Sequence, residues 1–218
     1  MSEPTSPIQY TTPQTKGSIV PIFPTPLGSY DFGNLIKPEV IDFIKNDLTY
    51  NLNRSNRTSI EGNVLDFPVM TEIKEFCELC VKEYTDTIYD QAFDTTFHIT
   101  QSWSNITEPN EFHHKHTHPN SIVSGVMYLQ TNEDDKIEFV GDPAIHKRIS
   151  LDSKSFNDYN ISFRWFQAWP GKLYLFPSTV PHDVPKLNDG ARNRISIAFN
   201  TFVKGQLGSN INKTEAHI

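Results

Sequence analysis

The sequence predicts an α+β domain: a jelly-roll-like, double-stranded β-core braced by two N-terminal helices. Three observations carry that expectation. Helical periodicity is confined to the stretch before Phe93, the chain beyond it breaks into short β-branched or aromatic runs, and Gly, Pro, Asn and Asp separate those runs. Short strands in succession, with no helices between them, pack as a sandwich or barrel rather than as a parallel βαβ sheet.

The elements follow in order. Residues 1–18, "MSEPTSPIQYTTPQTKGS", are polar and rich in Pro, Thr and Ser. They read as a flexible tail and lack the basic start and apolar stretch of a secretory signal. A first helix opens at Pro38, where the missing N–H costs nothing, and runs "PEVIDFIKNDL" with Val40, Ile41, Ile44 and Leu48 on one face. A second, "TEIKEFCELCVKEYTDTIYD", sets Ile73, Phe76, Cys77, Cys80, Val81, Tyr84 and Ile88 on one stripe. Cys77 and Cys80 are the only cysteines, so they read as buried core thiols: a zinc ribbon needs a second pair, and a redox pair stands at a helix start. Strands are expected at "TTFHITQSW", "SIVSGVMYLQ", "KIEFV", "KLYLF" and "RISIAFNTF". Residues 204–218 are again polar, which leaves a single domain over 19–203.

Composition narrows the function. The chain has 218 residues, 37% hydrophobic and 21% charged, as one soluble globule requires. A net charge of -7 with singly scattered Lys and Arg argues against a nucleic-acid partner. No run approaches the ~18 apolar residues of a membrane helix, so the expected location is the cytoplasm.

The chemistry gathers in three places. Four of the 8 histidines fall in "HHKHTH", residues 113–118. In extended chain His114, His116 and His118 share one face while His113 points away, and imidazoles at i and i+2 can reach one metal ion. A remote histidine, His182, follows the strand "KLYLF" in "FPSTVPHDVP". In "ARNRISIAFN", Ile195, Ile197 and Phe199 take one face and leave Arg194, Ser196, Ala198 and Asn200 on the other. The planar fork of an arginine beside a hydroxyl suits a carboxylate. Each feature alone has a bland reading: a solvated histidine loop, a hydrogen-bonded structural histidine, an arginine paired with a core carboxylate.

Taken in order, H-x-H-P, "SGVMYL", "FPS…H" and an R-x-S twelve positions past the distal histidine resemble the iron(II)/2-oxoglutarate-dependent oxygenases. The similarity is narrower to a branch found in marine bacteria and their phages, and runs from about Pro21 to Phe202. The resemblance implies a double-stranded β-helix (cupin-like) fold and an enzyme, a dioxygenase acting as a hydroxylase. It also implies Fe(II), 2-oxoglutarate as co-substrate, ascorbate as a compatible reductant, and release of succinate and CO2. Carried over by position, His116 and His182 match iron ligands, Arg194 and Ser196 match the pair that binds the far carboxylate of 2-oxoglutarate, and Tyr128 is a further partner for it. For a phage-encoded chain the cytoplasm would be the host's.

One position departs from the family. The usual triad has two histidines and a carboxylate, with Asp or Glu two residues after the first His. His118 stands there. It is either the third ligand, giving His116, His118 and His182; or it lies behind a His114–His116 pair; or a carboxylate such as Asp183 or Glu111 completes the set. Two other classes stay open: a three-histidine cupin-type metal enzyme that does not use 2-oxoglutarate, and a non-catalytic metal-binding jelly-roll module. Trp103, Asn105 and the "TEPNEF" loop are the candidate walls of the approach for a prime substrate of unassigned chemistry.

Overall fold

The computed structural model describes residues 9–12, 15–33, 35–91, 94–141, 152 and 154–218. The chain opens with a hairpin of β1 (Gln9–Thr12) and β2 (Thr15–Ser18), then β3 (Gly28–Asp31), helix α1 (Pro38–Asn46) and a second hairpin, β4 (Tyr50–Asn53) with β5 (Asn56–Ser59). Two single-turn 3₁₀ segments lead into helix α2 (Thr71–Tyr89). The strands after it are β6 (Thr96–Thr107), β7 (His113–His116), β8 (Val123–Gln130), β9 (Lys136–Val140) and β10 (Phe163–Gln167). They continue as β11 (Lys172–Pro177), β12 (His182–Val184), β13 (Arg194–Lys204), and a last pair, β14 (Gln206–Leu207) and β15 (Ala216–His217). The stretches expected as tails thus include β1–β2 and β14–β15 among their described residues.

Among the described residues, seven strands form a major sheet in the order β3-β11-β8-β13-β6-β5-β4, and four form a minor sheet in the order β10-β9-β12-β7. From β7 to β13 the chain passes repeatedly between the two sheets, which makes the core a double-stranded β-helix. The helices lie on the outer face of the major sheet. Val40 and Ile44 of α1 and Ile73, Cys77, Val81 and Tyr84 of α2 are buried in one core with Met127, Leu129, Ile195, Ile197 and Phe199. Between the sheets lies a second core of Val126, Tyr128, Ile137, Phe139, Tyr174 and Phe176. Strand β8 is therefore buried on both faces from Val123 to Leu129 and shows no alternation of buried and exposed residues.

The two cysteines are free and buried, with Cys77 Sγ 4.0 Å from Met127 Sδ. Burial pushes the Cys80 thiol up to about 12 and Cys77 well above its ordinary value, so neither is a ready nucleophile. Ile88, expected on the same stripe, is instead 42% exposed. In this last turn the neighbouring Tyr89 reaches the sheet, stacking on Phe97 with ring centres 5.1 Å apart. Gly125 on β8 admits the ring of Phe199: a Cβ there would lie 2.2 Å from Phe199 Cζ. Among the described residues no helix is long and apolar enough to cross a membrane.

Candidate active site

Strand β12 lies between β9 and β7 and places His182 opposite His116 on one side and Phe139 on the other. His118 follows β7 in a loop held by its own N–H, which donates to the Ser178 carbonyl at 2.9 Å. One ring nitrogen each from His116, His118 and His182 falls within 4.8 Å of the others. The Nε2 atoms of His118 and His182 face each other at 3.3 Å.

The tautomers follow from the neighbours. His182 Nδ1 lies 3.0 Å from the Val180 carbonyl and His116 Nδ1 lies 2.8 Å from the His114 carbonyl. A carbonyl only accepts, so in both rings Nδ1 carries the hydrogen and Nε2 is left with its lone pair. Burial, reinforced by His116, pushes His118 down to about 4; the same two causes, in that order, push His182 down to about 3. Burial also lowers His116. Near neutral pH the three rings are uncharged, His116 and His182 offer Nε2 lone pairs, and His118 brings its Nε2 to the same place. Three neutral imidazole nitrogens gathered in this way fit a divalent cation.

The other ligand candidates are elsewhere. Asp183 stands among Glu138 and Lys115, and Glu111 Oε2 turns back to accept from the Glu108 N–H at 2.8 Å. His114 has a buried Nδ1 with no partner and lines a neighbouring cavity, outside the three-ring cluster. Among the described residues no carboxylate joins the three rings.

His113 was expected to point away; instead its ring stacks on His116, with centres 4.7 Å apart and planes at 15°. The cause is a β-bulge. His182 pairs with His116 and Val184 with His113, so two residues of β7 oppose one of β12. The extra residue reverses the alternation across it, and residues three apart come to one face. Asn56 Nδ2 on β5 lies 3.3 Å from His113 Nδ1.

The polar face of β13 turns inward as expected, and Ser196 lies opposite Tyr128 of β8. Tyr128 is 1% exposed, and its hydroxyl has no hydrogen-bond partner among the described residues. Such an orphan costs about 1–3 kcal/mol and marks a place for a ligand atom. Arg194 is already engaged: Nη1 donates to Asp135 Oδ1 at 2.9 Å, and both Nη atoms reach the Pro185 carbonyl at 3.4–3.5 Å. The reading in which Arg194 pairs with a core carboxylate therefore describes part of what it does.

A cavity of about 410 Å³ opens beside the histidines, walled by Trp103 and by Asn51, Leu52, Asn53, Thr58 and Ser59 of the β4–β5 hairpin. The Trp103 ring lies 5.7 Å from that of His118. Asn105 stands behind the wall and accepts from Thr58 Oγ1 at 2.9 Å. The "TEPNEF" loop is outside the cavity, pinned by an Arg57–Glu108 ion pair and by backbone bonds to Leu187. The hairpin escaped the sequence reading; its one signal is the "NRSN" turn, where Arg54 adopts φ +53°.

Fold and cluster together define a metal-binding double-stranded β-helix protein. Residues 101–200, which carry every histidine of the cluster as well as Tyr128, Arg194 and Ser196, match a family model described as "Putative 2OG-Fe(II) oxygenase". That segment, a little under half of the chain, resembles the 2OG-Fe(II) oxygenase family. No curated protein sequence matches the chain. Among solved structures it is similar to a 2OG-Fe(II) oxygenase family oxidoreductase from Burkholderia pseudomallei (12% identity, 80% of this chain and 84% of that one, TM-score 0.53). It is similar also to a Pseudomonas putida prolyl-4-hydroxylase (13% identity, 79% and 92%, TM-score 0.50). A third is HygX from Streptomyces hygroscopicus, solved with nickel, 2-oxoglutarate and hygromycin B bound (10% identity, 80% and 82%, TM-score 0.51). At these identities the likeness is one of fold.

Proposed function

We propose that this chain is an Fe(II)- and 2-oxoglutarate-dependent oxygenase that hydroxylates a prime substrate with release of succinate and CO2. The convergence of three neutral imidazoles, with an arginine, a serine and an unpartnered tyrosine hydroxyl on the inner strands nearby, carries this reading. His116, His118 and His182 would hold the iron; Arg194, Ser196 and Tyr128 would receive the distal carboxylate of 2-oxoglutarate. When bound, iron and 2-oxoglutarate together supply the oxidising power for oxygen insertion, the co-substrate being decarboxylated to succinate.

The chain's own part is orientation, charge and dryness. The carbonyls of His114 and Val180 fix which nitrogen each ring offers. A ligand set without a carboxylate adds no negative charge, which favours a dianionic co-substrate. Phe176 packs on His182 at 4.6 Å and Phe139 lies 6.1 Å from it, so the second core backs the cluster. The cavity under Trp103 would take the prime substrate, and its amides and hydroxyls suit a polar one. We further assign residues 19–203 to one domain, a marine bacterial or phage origin, and the cytoplasm, the host's if phage-encoded, where the two thiols would stay reduced. The net charge of -7 disfavours a nucleic-acid substrate.

The Asp135–Arg194 pair favours a second reading, a three-histidine metal enzyme that does not use 2-oxoglutarate. One experiment separates the two. Purified protein given Fe(II), ascorbate and oxygen should slowly form succinate from 2-oxoglutarate with no prime substrate, and zinc should stop it, having no redox chemistry. Metal bound at the three histidines with neither succinate nor 2-oxoglutarate binding would establish the second reading.

A further inference from the structure

We propose that Asp135 sets the co-substrate preference of this site. It holds Arg194 as a neutral pair, so that a 2-oxo acid with a distal carboxylate is scarcely preferred over one whose distal end is polar but uncharged. The inference rests on the oxygenase reading above and deepens it.

Both side chains of the pair are 4% exposed, and the contact is 2.9 Å. A buried arginine in such a contact presents little net charge to an arriving group. The pair is also fixed in place. Asp135 Oδ2 accepts from the Asn132 N–H at 2.7 Å and from Asn132 Nδ2 at 3.3 Å. The Asp135 carbonyl accepts from the Ala168 N–H at 2.7 Å, which ties the turn to β10. Asn132 is in turn bonded to the backbone of Arg192 through both its amide atoms. Swinging the carboxylate out would break these bonds and strand a buried charge, which is strongly unfavourable.

A distal carboxylate entering here meets an arginine already neutralised and a like charge beside it. The opposed charges are felt at Tyr128, where Arg194 favours the ionised phenol and Asp135 opposes it. The buried donor left without a partner is neutral, the Tyr128 hydroxyl, and Ser196 stands opposite it on β13. Neutral donors bind a carboxylate and an ester carbonyl with far less discrimination than an unpaired guanidinium does.

The test is calorimetric and needs no turnover. Zinc-loaded protein is titrated with 2-oxoglutarate and with its 5-methyl ester, in wild type and in Asp135→Asn, which keeps an oxygen toward Arg194 but loses the charge. In wild type the two affinities should agree within about threefold, and Asp135→Asn should tighten 2-oxoglutarate by about tenfold while leaving the ester nearly unchanged. If 2-oxoglutarate binds but is weakened or unaffected by Asp135→Asn, the assignment is wrong and Asp135 serves to orient Arg194. Should the variant not fold, the wild-type ratio decides, since a preference for 2-oxoglutarate above about tenfold overturns the inference. Binding of neither 2-oxo acid by either protein, with zinc in place, overturns the oxygenase reading and this inference with it.

Discussion

A histidine ligates through a nitrogen that carries no proton, and backbone carbonyls make that choice for His116 and His182. His118 has no such carbonyl; its ring is set by the loop and by Trp103. All three contribute one atom to the same small volume, so removing any one should cost most of the metal. His116→Ala, His118→Ala and His182→Ala should each lose bound iron by elemental analysis, while His114→Ala should retain it. Full iron in His118→Ala together with loss in His114→Ala would shift the ligand pair toward the start of the cluster. At this scale the sequence was informative because residue type and order are local facts. Its error was His113, whose orientation depends on a bulge that only pairing with β12 creates.

At the scale of elements, the long pieces were legible and the short ones were not. Helix α2 and strand β13 are long enough to display a period, and the inward set on β13 came out as the alternation predicts. Strands β7 and β12, of four and three residues, are too short to show one, yet they carry two of the three rings. The β4–β5 hairpin is mostly polar and announces only its turn. Gly125 leaves room on β8 for the ring of Phe199 from β13. Gly125→Ala should force that ring off β8, with a cost on the order of 1–3 kcal/mol, the usual range for overpacking a core. Thermal unfolding should show a lower midpoint; an unchanged one would mean that the strand shifts freely to make room.

For the whole molecule the cluster is a liability that metal removes. His118 and His182 titrate near 6.5 in an unfolded chain, and at about 4 and about 3 in the folded protein. The unfolded state therefore binds more protons between those values, and stability is full above pH 6.5 and falls as the pH drops toward 4. The metal-free protein should lose up to about 2 kcal/mol for each ring between pH 6.5 and 5, by urea denaturation. Saturating zinc should steepen that acid loss, because protons then compete with the metal as well as with the fold. A metal-free stability that is flat or rises on acidification would contradict the burial of these rings as neutral groups.

The sequence by itself determined what local spacing encodes. It specified the two amphipathic helices, the buried thiols of Cys77 and Cys80, the two faces of β13, and the order of motifs that lets residues 101–200 match a family model. Each of these depends on side chains a few positions apart on one element, where helix and strand periods act directly. Only the tertiary structure decided the rest. The bulge that turns His113 onto His116, the hairpin that walls the cavity and the carboxylate that meets Arg194 from 59 positions away all arise from register between strands that the chain brings together from afar. Such register is set by how whole sheets pack, and a one-residue shift changes which side chain faces the site.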